Sequence, residues 1–227
     1  MQETLQFFIV IPLVGFLASL LVPRKQEAVL SGITIATTGI HLAGTLAFIA
    51  WWGWSNSPTL DFKQFVLYKS PEFEFFIDYY FDRVTAVFAL VGVVLTCLVA
   101  VFSRYYMHRE EGFKRFFSTL LAFFTGYNLI VFSGNFETLF IGWEILGITS
   151  FLLIAFYRDR YLPVKNGFKV LSFYRLGDIC LILAMWMSHH LWHKNITFAE
   201  WDQAGVVQQQ FQQQHDPELR KYCMMTR

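Results

Sequence analysis

The sequence predicts an all-α, polytopic membrane helical bundle of about six spanning helices, and three observations carry that prediction. Of 227 residues, 55% are hydrophobic and 19% aromatic, with 26 phenylalanines and only 15% charged residues, the balance of a chain whose solvent is lipid. Mostly apolar runs of about 18 residues, enough for a helix to cross roughly 30 Å of hydrocarbon, recur along the chain. The loops between them alternate in charge with one consistent sign. That composition makes a lipid bilayer the expected surroundings, and the formal net charge of +1 gives no bulk basic or acidic character that would point to nucleic acid or an acidic ligand.

The spans fall near 5–22, 28–52, 84–103, 116–133, 136–157 and 168–187. The first begins in "MQETLQFFIVIPLVGF", which has no basic residue before its apolar run and no small-residue cleavage pattern, so it is expected to be a retained helix. The second carries His41 at its middle. An imidazole titrates near physiological pH, which makes His41 a proton-pathway candidate, although a neutral histidine packed on a neighbouring helix is the favoured reading. An outer loop, 53–83, includes "EFEFFIDYYFDR", where Glu72, Phe73, Glu74 and Phe75 alternate as in a short hairpin strand or an extended surface segment. Only Ser133, Gly134 and Asn135 separate the fourth and fifth spans, turn formers that close a tight helical hairpin.

Residues 1–187 thus form a six-span domain, followed by a polar, glutamine-rich tail, 188–227, expected to be partly disordered. Trp51, Trp52, Trp54, Trp186 and Trp192 cluster near outer ends as an aromatic belt. Cys97, Cys180 and Cys223 are too scattered for a disulfide framework or a zinc site. His189 and His193 have metal-binding spacing on a helix, with His190 beside them. No third ligand is fixed nearby, so they read as interfacial histidines and no metal is expected.

Lysine and arginine are retained on the cytoplasmic side. The loops after the first, third and fifth spans carry ten of them: Arg24, Lys25, Arg104, Arg109, Lys114, Arg115, Arg158, Arg160, Lys165 and Lys169. The outer loop sets Lys63, Lys69 and Arg83 against Asp61, Glu72, Glu74, Asp78 and Asp82. The N-terminus is therefore expected outside.

Within "GNFETLFIGWEILGITSFLLIAFY" the glutamate Glu144 lies about 4 Å from the midplane of its span. A charge there costs roughly 2.5–3.5 kcal/mol on insertion scales, so such residues face the bundle interior and mark ion or proton pathways. Desolvation favours the neutral carboxyl and a cation favours the charged one; a group balanced between them can load and release a proton. "KVLSFYRLGDICLILAMW" repeats the anomaly with Arg175 and Asp178, about 60° apart around the sixth helix and able to pair. Asp178 and Glu144 lie about 15 and 20 Å from their cytoplasmic ends, a shared depth that suits proton handling. Gly142 and Gly147 let a partner helix approach Glu144. Glu137, two turns outward, either extends a proton route or, the favoured reading, is a first-turn acid on the helix dipole.

With these residues in view, "FSRYYMHREEGFKRFFSTLLAFFTGYNLIVFSGNFETLFIGWEILGITSFLLIAFYRDR" and "YRLGDICLILA" resemble the antiporter-like subunit of proton-pumping NADH:quinone oxidoreductase, chain 5 or L-type. They also resemble its relatives in Mrp-type cation/proton antiporters and inorganic-carbon uptake complexes. The likeness covers roughly residues 60 to 187. It implies the N-terminal part of an antiporter-like fold, with Glu144, Arg175 and Asp178 in a buried charged chain that conducts protons. Tyr174 departs from the asparagine common before the arginine, and "SHHLWHKNITFAEW" looks more like the carbon-uptake branch.

Family members extend further, and their later helices supply lysines that pair with the glutamate. This chain stops before them, so a fragment, a frame-disrupted product ending in "RKYCMMTR" or half of a split subunit is expected. The resemblance implies a translocase subunit in a multi-pass location, the bacterial inner membrane, with other membrane subunits as partners. No dinucleotide fingerprint or iron–sulfur spacing occurs, so cofactors and redox catalysis are expected to belong to partners. The alternatives are inorganic-carbon uptake with a soluble cytoplasmic partner, and a structural anchor that conducts nothing.

Overall fold

A computed structural model describes residues 4–55, 58–69, 74–192 and 197–200. Six helices and one β-hairpin follow in the order α1 (Phe7–Leu21), α2 (Glu27–Trp54), β1 (Leu60–Lys69), β2 (Glu74–Phe81), α3 (Arg83–Tyr106), α4 (Phe113–Val131), α5 (Phe136–Ile154) and α6 (Tyr161–Trp192). Each predicted span coincides with a helix. Four of them, α2, α3, α5 and α6, are long and apolar enough to cross a membrane. With 15 residues α1 reaches only about 22 Å, less than the hydrocarbon thickness.

The largest departure from the sequence reading is α6, which runs 32 residues. Pro163 is tolerated in its first turn, where no helical N–H is required, so the helix starts well before the apolar run. At the other end Trp186 stacks on His190 one turn on, ring centroids 5.4 Å apart, and residues 188–192, assigned above to the tail, complete the helix. Thr197 bridges Asn135, and the Phe198 N–H donates to the Gly134 carbonyl at 2.7 Å. This part of the tail therefore docks on the turn between α4 and α5. Cys223, His193 and residues 201–227, with the glutamine-rich stretch, lie outside the described residues.

At the end of the bundle opposite the basic loops, β1 and β2 pair antiparallel from Leu60 opposite Phe81 to Lys69 opposite Glu74. Glu72 and Phe73 of the expected alternation lie outside the described residues. The hairpin lies on the α4–α5 turn: the Tyr80 N–H donates to the Phe132 carbonyl, the Gly134 N–H to the Asp78 carbonyl and the Asn135 side chain to the Phe76 carbonyl. A Cβ on Gly134 would collide with the Asp78 carboxylate, so that turn requires glycine. Phe8, Phe48, Trp52, Phe81 and Phe132 join hairpin and helices in one buried aromatic cluster, with Phe81 edge-on to Phe48 and Trp52. Trp52 is thus no member of an interfacial belt. It is buried, and its indole donates to the Pro58 carbonyl at 2.8 Å, whereas Trp51, Trp54 and Trp186 are exposed. The side chain of Trp192 lies outside the described residues.

Two glycines bring α4 and α5 close. A Cβ on Gly142 would lie 2.8 Å from the backbone nitrogen of Ile130, and one on Gly126 would lie 3.0 Å from that of Leu146. Gly142 therefore admits α4 and does not face a partner of Glu144; Gly147 does, with the Tyr174 ring of α6 against it. At the basic end, the first turn of α4 ties down two antiparallel neighbours. Lys114 Nζ donates to the carbonyls of Leu20 and Val22 at 2.7 Å, and Arg115 Nη2 to that of Phe156 at 2.7 Å. Both cations thus sit at helix C-termini, where carbonyls lack helical donors.

Candidate functional site

The site lies between α5 and α6. Asn135 caps α5, its Oδ1 accepting from the Thr138 N–H at 2.9 Å, which starts the helix tightly after the turn. Two turns on, Trp143 and Glu144 point towards α6. That helix arrives antiparallel and presents Tyr174, Arg175, Gly177 and Asp178 at the same depth.

Arg175 joins the two helices. Its Nη1 lies 3.1 Å from both Glu144 Oε1 and Oε2, and 2.9 Å from Asp178 Oδ2. One nitrogen therefore serves two carboxylates, where a guanidinium fork more often clasps a single one. The pairing of Arg175 with Asp178 follows their spacing. The cationic partner of Glu144 was not legible from the sequence, because the register between two helices is not written in either one.

The remaining oxygen of Asp178, Oδ1, accepts from Trp143 Nε1 at 2.9 Å. The indole crosses Gly177, where an added Cβ would sit 3.4 Å from Trp143 Cζ2, and its ring meets Tyr174 at 5.4 Å. Tyr174 in turn fits because Gly147 opposite has no side chain. Trp143 was missed in the sequence. The signal available was that an indole N–H away from water must find an acceptor, and Asp178 is the acceptor at its depth. The Asp178 side chain is 9% exposed, against 26% for Glu144 and 51% for Arg175.

The other two proton-pathway candidates lie apart from this cluster. Glu137 is buried in the first turn of α5, about 10 Å along the axis from Glu144. His41 is fully buried among α1, α2 and α4, its Nε2 2.9 Å from the Phe8 carbonyl and its Nδ1 3.3 Å from Thr45 Oγ1. Rings of Phe8 and Phe124 meet it edge-on. No group of three or more metal-ligating side chains occurs among the described residues. A cleft of about 1150 Å³ opens at the basic end between α1, α4 and α5, lined by Arg24, Glu27, Lys114, Arg115 and Arg158 among others, and does not include the charged cluster.

A helical bundle with three charges joined across two long apolar helices is a polytopic membrane protein with a charge cluster between two of its helices. Residues 68–117 match the family described as NADH-ubiquinone oxidoreductase (complex I), chain 5 N-terminus, and residues 133–214 that described as NADH:quinone oxidoreductase/Mrp antiporter, TM. The chain belongs to this superfamily of antiporter-like membrane subunits. It is 34% identical to an NADH-ubiquinone oxidoreductase chain 5 of Metridium senile over 200 residues, 87% of this chain and 31% of the relative. It is 28% identical to an NADH-quinone oxidoreductase subunit L of Neisseria meningitidis, over 67% of this chain and 23% of the relative. The fold is shared with a chain of the Mrp complex from Dietzia sp. at a TM-score of 0.68 and 19% identity, covering 84% of this chain and 34% of that one. A chain of an archaeal membrane-bound sulfane sulfur reductase gives 0.66 and 17%, covering 87% of this chain and 39% of that one. The chain thus spans about a quarter to a third of the length of the relatives first matched. They come from bacteria and eukaryotes alike, so the family does not select the bacterial membrane expected above.

Proposed function

We propose that this chain is a proton-translocating membrane subunit in which Glu144 takes up and releases the proton while Arg175 shifts between Glu144 and Asp178. The observation that supports this reading is the single guanidinium nitrogen shared by two carboxylates on adjacent helices. With Glu144 ionised, Arg175 is pulled towards both acids. Once Glu144 is protonated, only Asp178 attracts it. Proton loading therefore moves a cation, and in a medium of low dielectric that movement is felt by neighbouring charges. The partners are other membrane subunits of a multisubunit complex, packed on the open face of α6. Phe173, Leu176, Ile179, Leu183 and Trp186 stand exposed there.

The test is proton flux across membranes containing the assembled complex. Glu144→Gln is expected to lower it by on the order of tenfold or more with assembly intact. An unchanged rate contradicts the proposal. Loss of assembly without this chain, combined with flux indifferent to substitution at 144, 175 and 178, would make it a structural anchor.

A further inference from the structure

Asn128 lies on the face of α4 that looks into the bundle. Phe124, one turn before it, meets the His41 ring of α2 at a centroid distance of 4.8 Å, and Phe132, one turn after it, stacks on Phe8 of α1. Between those rings Asn128 is 1% exposed. Its Nδ2 donates to the Phe124 carbonyl at 2.7 Å, which fixes the amide, because turned over it would set two acceptors against each other. The other amide atom, Oδ1, is buried and meets no donor among the described residues.

A second acceptor lies nearby. The Phe8 carbonyl only accepts, so the hydrogen of the His41 ring is on Nε2, 2.9 Å away, and Nδ1 is a lone pair that needs a donor. Thr45 Oγ1 lies 3.3 Å from it, but that hydroxyl has one hydrogen and directs it to the His41 carbonyl at 2.8 Å. Were the hydroxyl to turn to Nδ1, Asn128 Oδ1 would still lack a donor. Both α2 and α4 run from the basic loops towards the hairpin. Since His41 meets Phe124, one further turn on each helix, about 6 Å, brings Thr45 and Asn128 to the same level. Nδ1, beside Thr45, and Asn128 Oδ1 thus border the same part of the core.

Two buried acceptors without a donor are unfavourable, and native interiors satisfy such groups with protein or with enclosed water. Water brings two hydrogens. We propose that a water molecule is bound between α2 and α4, donating to Asn128 Oδ1 and to His41 Nδ1, with its oxygen placed to accept from Thr45. Neutral acceptors in this number suit water, whereas a metal ion takes a larger and usually charged set of oxygens. His41 and Asn128 are already enclosed by helices of this chain, so the site needs no other subunit to form it. It holds the imidazole in one tautomer and joins α4 to the α1–α2 pair through the Phe8 carbonyl, His41, water and Asn128. The site is independent of the carrier reading of Glu144.

The experiment is solid-state NMR of the full chain in lipid bilayers, transferring magnetisation from water protons to carbon-13 in histidine and asparagine side chains. His41→Phe and Asn128→Leu assign the two signals by their loss. In the unsubstituted protein, His41 Cε1, which adjoins Nδ1, and Asn128 Cγ are both expected to receive the transfer. Asn128→Leu is close in size and removes the acceptor. It is expected to abolish most of the transfer to His41 Cε1 and to leave that to His108, an exposed histidine, unchanged. The same substitution is expected to lower the thermal midpoint, and to lower it less in a His41→Phe background, where the two residues no longer share a water.

Absence of transfer to both side chains in the unsubstituted protein would overturn the proposal, as would an unchanged His41 signal in Asn128→Leu. A raised thermal midpoint in Asn128→Leu would also overturn it, since deleting an acceptor that had no partner relieves a penalty. The first reading needs no substitution, so it decides the matter even where a variant fails to fold.

Discussion

Pro12 sits inside α1 and has no N–H, so the Phe8 carbonyl one turn back has no helical donor. His41 supplies one, at 2.9 Å from a neighbouring helix. A carbonyl only accepts, so Nε2 carries the hydrogen; Nδ1 lies 3.3 Å from the Thr45 hydroxyl, which donates to the His41 carbonyl at 2.8 Å. His41→Phe is expected to cost about 1–3 kcal/mol by orphaning that carbonyl, measured as a lower thermal midpoint in detergent or lipid. Adding Pro12→Ala returns a helical N–H and is expected to recover part of the loss; no recovery would contradict this account. The proline and the histidine were each visible in the sequence, but their link depends on α1 and α2 lying side by side. Glu144, Arg175 and Asp178 were legible for a different reason. A charge in an apolar run announces itself through its cost, whereas Trp143 looks like one more aromatic residue in lipid until its acceptor is known.

Among the elements, the pairing of α4 with α5 is the least forgiving. Gly142→Ala places a methyl group against the α4 backbone and is expected to destabilise the pair by about 1–3 kcal/mol, measured as a fall in the thermal midpoint. If the midpoint is unchanged, the two backbones are not in such close contact. The hairpin has its own sensitivity. Burial pushes the Tyr79 phenol up from its ordinary value. A group whose folded value is raised contributes stability below its unfolded value, about 10, and loses it as pH rises through the folded value. Order in the β1–β2 hairpin, followed by amide exchange or circular dichroism, is thus expected to fail in strong alkali, and Tyr79→Phe to remove that pH dependence. The spans were legible because apolar length is a direct signal. The first turn of α6 was not, because residues 161–167 carry Lys165 and Asn166 and belong to the helix by local geometry and not by hydrophobicity.

At the scale of the molecule, α6 is the open side. It packs on α5 and otherwise turns large apolar side chains outward, with Arg175 half-exposed among them. A half-exposed guanidinium facing lipid is costly, so the proposed partner helices have a defined place to pack. Cys180, exposed on α6, is expected to lose reactivity towards a membrane-permeant maleimide when the complex assembles; equal labelling before and after would place the partners elsewhere. The overall architecture was legible from composition and the recurrence of apolar runs. Covering of the α6 face lies beyond any single helix pattern, because an outward apolar stripe suits lipid and a partner equally well.

The central claim is that one guanidinium is shared between carboxylates on two helices. Rotational-echo solid-state NMR on the full chain in bilayers, with nitrogen-15 in arginine and carbon-13 in the carboxyls, measures it directly. Substitution at 144, 175 and 178 assigns the signals. The account predicts short Arg175-to-carboxyl couplings to both Glu144 and Asp178, matching contacts of 3.1 and 2.9 Å. A coupling to Asp178 alone, or to neither, would contradict it.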